Sequence, residues 1–135
     1  MSTNSNSTKK NSLRYQLATF RYAFSGLLWF FAFETKATIH IICAVLAVLA
    51  GFLLKISLTD WALIIIVIGF VLFAEILNTS IELMVDHIEK EQNKTAGRIK
   101  DLAAGAVLIA AISAFLIGII VFVPRLFAML RFIGQ

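Results

Sequence analysis

Residues 102–123, LAAGAVLIAAISAFLIGIIVFV, contain no charged side chain. A hydrocarbon core of about 30 Å is crossed by about 20 helical residues, and backbone inside lipid must satisfy its own hydrogen bonds, as a helix does. This run therefore reads as a spanning helix, and Pro124 is expected to stop it. Two further runs have the same character. ATIHIICAVLAVLAGFLL, residues 37–54, sits near the lower length limit. WALIIIVIGFVLFA begins at Trp61 and continues through a more polar stretch to about His87. With 60% of residues hydrophobic and 15% charged, the chain is too apolar for a soluble domain of its length. The expected fold is an all-α membrane protein, one domain over 13–135, with transmembrane helices over 37–54, 61–87 and 102–123. Ala103, Ala104, Gly105, Ala106, Ala110, Ala111 and Gly118 of the last run permit close helix approach. The piece after Pro124 reads as a short interfacial helix.

The flanks give topology. Residues 1–12 are polar and of low complexity and read as a disordered cytoplasmic tail. Leu13, Leu17, Phe20, Phe24, Leu27 and Phe31 then recur at helical period, with Arg14 and Arg21 off the stripe. Residues 13–33 are thus expected to form an amphipathic helix in the membrane interface. Residues 55–60 read as a turn in which Asp60 caps the next helix, and 89–100 as a charged loop. Of the 12 basic residues, Lys9, Lys10, Arg14, Arg21, Lys36, Lys90, Lys94, Arg98 and Lys100 fall on one side of the membrane, and Lys55, Arg125 and Arg131 on the other. Nine against three puts the N-terminus and the second loop in the cytoplasm. The basic residues gather at membrane edges and suit anionic lipid head groups; no basic stripe with interleaved aromatics points to nucleic acid. Cys43 is the single cysteine and reads as an apolar packing residue. No Cys or His pair has zinc-ligand spacing. His40, one turn into the first span, reads as a hydrogen-bonded interfacial histidine ahead of a catalytic one.

The second spanning helix carries the chemistry. Glu75, Asn78, Glu82 and Asp86 lie at i, i+3, i+7 and i+11, within an arc of roughly 80° at about 100° per residue. Ionisable groups at membrane depth are costly and face a partner or a pathway. Glu75 and Glu82 are about 10 Å apart along the axis, too far to share one proton or one metal directly, yet able to take separate tasks on one substrate. Lys100 and Asp101, and Glu34 ahead of the first span, converge on the same boundary. Carboxylates with an amide and a lysine suit a nucleotide-phosphate site, because Mg²⁺ bridges one or two carboxylates to phosphates and lysine neutralises phosphate charge. The chain has no P-loop and none of the protein-kinase motifs. From spacing alone, catalysis, an ion or proton path, and interhelical polar packing all stay open.

The blocks EILNTSIELMVD (75–86) and GRIKDLAAGAVLIAA (97–111) resemble the signature of the prokaryotic diacylglycerol kinase/undecaprenol kinase family, and the resemblance runs from about Tyr15 to Pro124. It implies a small membrane lipid kinase of the bacterial inner or plasma membrane, using ATP and Mg²⁺ on a lipid alcohol and working as a homotrimer with shared sites. On that resemblance Glu75 is the general base with Asn78 beside it, Glu34 and Glu82 hold the nucleotide-bound metal, and Lys100 and Asp101 serve the nucleotide phosphates and organise the site. Tyr22 falls where an aromatic contacts adenine, and Glu91 where a loop acid contacts nucleotide. Asp86, Gly97 and Arg98 also fit. The chain departs from the family's pattern at Thr38, where an arginine is common, and at Asn93, in place of a histidine. The competing reading is a non-enzymatic oligomeric channel or scaffold that uses the carboxylate stripe for ions or protons. Nothing in the residues separates diacylglycerol from undecaprenol.

Overall fold

The structure, a computed structural model, describes residues 5–89 and 93–133. Its elements are α1 (Ser5–Phe33), α2 (Thr35–Leu53), α3 (Leu58–Ile88) and α4 (Lys94–Ile133). The chain divides into two compact units, Met1–Thr35 and Lys36–Gln135.

The first unit is α1. The helix covers the expected stripe over 13–33 and extends back to Ser5, because the polar residues ahead of Leu13 include neither Gly nor Pro to stop it. Within it the Thr19 hydroxyl donates to the Tyr15 carbonyl at 3.0 Å, and Arg21 lies 5.5 Å from the centre of the Tyr22 ring. Its large apolar side chains, among them Phe20, Phe24 and Leu28, are exposed.

The second unit contains α2, α3 and α4, the three helices long and apolar enough to cross a membrane. α2 ends in a Schellman motif. The Ile56 N–H donates to the Gly51 carbonyl at 3.2 Å and the Lys55 N–H to the Phe52 carbonyl at 3.3 Å. Lys55 occupies the left-handed position at φ 48°. A methyl group added at Gly51 would come within 2.9 Å of the Trp61 ring and 3.0 Å of Ile56, so the glycine is what lets the turn close on the start of α3. The Phe52 and Trp61 rings meet there, 4.8 Å between centres.

α3 begins three residues earlier than expected. Ser57 is the N-cap; its hydroxyl oxygen accepts from the Asp60 N–H at 3.2 Å, and the Asp60 carboxylate accepts from the Ser57 N–H at 3.0 Å. Asp60 therefore belongs to the cap as the third residue of a capping box, not as the N-cap itself. Its Oδ2 also accepts from Arg125 Nη2 at 3.2 Å, tying α3 to the far part of α4.

α4 corrects two expectations. It starts at Lys94, inside the stretch expected as loop, because the Asn93 side chain accepts from the Thr95 N–H at 2.8 Å and opens the helix. It also continues through Pro124 to Ile133. Proline removes the hydrogen bond to the carbonyl four residues back, which is Ile120 here, and crowds that carbonyl with its ring; helices in apolar surroundings accommodate both by local adjustment. At 1.5 Å per residue the 40 residues of α4 span about 60 Å, about twice the hydrocarbon thickness. The core lies along α3 and α4 in two clusters. Ile56, Ile64 and Val121 form one, with Ala47 of α2 against it. Val71, Ala74 and Ala110 form the other, where small side chains let the helices approach. An apolar cavity of about 340 Å³ opens between α2, α3 and α4, walled by His40, Cys43, Val67, Val71, Ala111 and Phe115 among others.

Candidate functional site

α3 lays its polar residues on one face in a gradient of burial. Glu75, Asn78 and Thr79 are 4%, 2% and 4% exposed; Glu82 is half-buried and Asp86 exposed. Each acid has its own basic partner. His40 Nε2 lies 2.8 Å from Glu75 Oε1. Lys36 Nζ donates to both Glu82 oxygens, at 3.1 and 3.3 Å. Lys100 Nζ donates to both Asp86 oxygens, at 2.9 and 3.1 Å. Asn78 Nδ2 bridges along the helix to Glu82 Oε1 at 2.9 Å, as i,i+4 spacing allows. So α2 supplies Lys36 and His40 from one face, one turn apart, and α4 supplies Lys100.

Three buried oxygens on this face have no hydrogen-bond partner among the described residues: Glu75 Oε2, Asn78 Oδ1 and Thr79 Oγ1. Buried polar atoms are almost always paired, and an unmade hydrogen bond costs about 1–3 kcal/mol, so these three oxygens are available to accept a hydrogen bond from a further group. The next residue is a contrast: the Ser80 hydroxyl returns to the Ile76 carbonyl at 2.7 Å.

Of the residues singled out in the sequence, Glu75, Asn78, Glu82, Asp86 and Lys100 come together here. Asp101 follows Lys100 on α4 and is exposed. Glu34 is the one residue between α1 and α2, its N–H donating to the Phe30 carbonyl at 3.0 Å, and Tyr22 is an exposed residue of α1; both belong to the first unit. Glu91 lies outside the described residues. Gly97 and Arg98 lie in the first turns of α4. His40, expected as a hydrogen-bonded histidine, has Glu75 as its partner; Lys36 and Thr79 are the members that the sequence pattern does not single out. Lys36 and His40 stand at i,i+4 on α2 and Glu75 and Glu82 at i,i+7 on α3, two same-face pairs that an antiparallel helix hairpin brings into register. That spacing was the available signal.

No group of three or more His, Cys, Asp or Glu side chains arranged to hold a metal occurs among the described residues. Mg²⁺ usually takes only one or two protein carboxylates beside nucleotide phosphates and waters, and Glu82, already facing the Lys36 ammonium, offers oxygen donors of the right kind.

A family model described as prokaryotic diacylglycerol kinase matches residues 21–122. The chain is 33% identical to an undecaprenol kinase of Bacillus subtilis over 117 residues, which cover 87% of this chain and 95% of that protein. It is 34% identical over 115 residues to a diacylglycerol kinase of Synechocystis, covering 84% of this chain and 66% of that one. It is 34% identical over 93 residues to a diacylglycerol kinase of Escherichia coli K12, covering 69% and 76%.

Proposed function

The chain belongs to the prokaryotic diacylglycerol kinase family and is a membrane lipid kinase that uses ATP, and on that premise we propose that Glu75 is the base that accepts the hydroxyl proton of a membrane lipid alcohol. The observation that supports this reading is the state of its carboxylate: buried on α3, held at Oε1 by His40, and unpartnered at Oε2.

In the proposed reaction the lipid hydroxyl gives its proton to Glu75 Oε2. Its oxygen forms a new bond to the γ-phosphorus as the bond from that phosphorus to the β–γ bridging oxygen breaks, and ADP leaves. Phosphoryl transfer asks the protein mainly for alignment and charge compensation. Asn78 braces Glu82 through its amide N–H. Lys100, with Asp101 beside it, serves the nucleotide phosphates, and leaves Asp86 to do so. Tyr22 and Glu91 are assigned to nucleotide contact. Glu34 and Glu82 would hold Mg²⁺, which when bound neutralises phosphate charge and draws the leaving group's electrons.

The acceptor is diacylglycerol or undecaprenol, each presenting one hydroxyl at the head of long apolar tails. The nine-to-three bias of basic residues supports a site facing the cytoplasm, and the family resemblance supports a homotrimer in the bacterial inner or plasma membrane. A non-enzymatic channel or scaffold is not favoured by the family.

Transfer of labelled phosphate from ATP to each lipid, run side by side with purified protein in mixed micelles, tests the proposal. Product from at least one lipid, lost in a folded Glu75→Gln protein, supports it; turnover near that of the parent in Glu75→Gln overturns the assignment of the base.

A further inference from the structure

We infer that His40 is a positioning residue for the phosphoryl-transfer step: its Nε2–H fixes Glu75 Oε1, so that Oε2 alone is presented to the lipid hydroxyl. The inference rests on the reading of Glu75 as the base and adds a residue to it.

An ionised carboxylate only accepts hydrogen bonds. For Glu75 to serve as a base it must be ionised, so at 2.8 Å the shared hydrogen belongs to His40 Nε2. The two oxygens of Glu75 are thereby made unequal, one tied and one open. The other acids of the stripe differ: both oxygens of Glu82 and both of Asp86 are engaged by lysine. Glu75 is thus the stripe carboxylate with a free oxygen among the described residues.

A glutamate side chain has several freely rotating bonds, and fixing them has an entropic cost. With Lys36 of α2 engaged with Glu82 and Lys100 of α4 with Asp86, the imidazole is the side chain hydrogen-bonded to Glu75 and holds it against that freedom. The setting strengthens the anchor. His40 also walls the apolar cavity beside Cys43, Val67 and Val71, and a hydrogen bond in such low-dielectric surroundings is stronger than in water. His40 reaches no second acid of the stripe, because its turn-mate Lys36 takes Glu82. It lines the apolar cavity and holds Glu75 at once.

Steady-state kinetics in mixed micelles test the inference with His40→Leu, His40→Gln and His40→Asn. Glutamine places an amide N–H close to where imidazole Nε2–H lies; asparagine is one methylene short. His40→Leu is expected to lower kcat roughly 10–100-fold, the range seen when an orienting partner is removed, with KM for ATP unchanged. His40→Gln is expected to keep kcat within about fivefold, and His40→Asn to fall with leucine, the split expected of a bond made by reach and donor. In Glu75→Asp, where the carboxylate has already withdrawn from the bond, adding His40→Leu is expected to cost less than about threefold more, because residues acting as one unit are not additive.

Parent-like kcat in His40→Leu, equal rates for His40→Gln and His40→Asn, or an undiminished cost of His40→Leu in Glu75→Asp would each overturn it. If His40→Leu melts early, the glutamine–asparagine comparison decides alone. The two readings fail separately: an active Glu75→Gln removes the base, whereas an inactive Glu75→Gln with a fully active His40→Leu removes only the role of His40.

Discussion

Lys36 Nζ sits astride both carboxylate oxygens of Glu82, at 3.1 and 3.3 Å, joining the first turn of α2 to the outer half of α3. An acid assigned to a metal is thus already matched by a positive charge from its own chain, and a divalent ion has to displace the ammonium to use both oxygens.

Lys36→Met is therefore expected to lower the Mg²⁺ concentration needed for half-maximal rate by roughly 1.5- to 5-fold, corresponding to the ~0.2–1 kcal/mol of an accessible ion pair. Glu82→Gln is expected to raise it. Initial rates over a Mg²⁺ titration read both; a higher requirement in Lys36→Met would assign the lysine to catalysis instead of competition.

Glu75→Gln keeps nearly the same shape and removes the proton acceptor. Turnover is expected to fall by about 10²–10⁴, the usual worth of a positioned general base. Unchanged melting behaviour in detergent would separate this loss from misfolding.

Gly51→Ala puts a methyl group 2.9 Å from the Trp61 ring and 3.0 Å from Ile56. The turn and the cap of α3 cannot both stay in place, and a loss of about 1–3 kcal/mol is expected, as for other overpacked sites. Denaturation in mixed detergent measures it; stability equal to the parent would mean that the ring moves freely.

Lys55→Gly works in the opposite direction. The left-handed backbone at φ 48° costs a non-glycine residue roughly 1–2 kcal/mol. Glycine removes that cost and loses part of the gain to its greater freedom when unfolded, so a rise of up to about 1 kcal/mol in the same assay is expected. A fall would show that the lysine side chain contributes more than its backbone strain costs.

Much of this molecule was legible because lipid leaves a sequence few options. The apolar runs gave the three spanning helices within three residues at most of their ends, the third excepted, and the period of 3.6 put Glu75, Asn78, Glu82 and Asp86 on one face. The third helix runs past its apolar stretch at both ends for local reasons. Pro124 after a long apolar run suggests a stop, yet the helix continues through it to Ile133, and Asn93, in a charged stretch that suggests loop, starts the helix with its side chain. The basic side of the site was hidden for a different reason. His40 and Lys36 are unremarkable on α2 by themselves, and only the pairing of α2 with α3 gives them partners, a long-range relationship that a single helix's periodicity does not encode. Thr79 was masked by its neighbours, since a threonine in an apolar helix usually returns its hydroxyl to the preceding turn.

The cavity beside His40 has a thiol in its wall. Because Cys43 is the chain's single cysteine, a small alkylating reagent modifies this wall and no other, without any engineered label. The speed of that modification becomes a native gauge of whether an apolar chain occupies the cavity, and it works in a protein whose carboxylate stripe is intact.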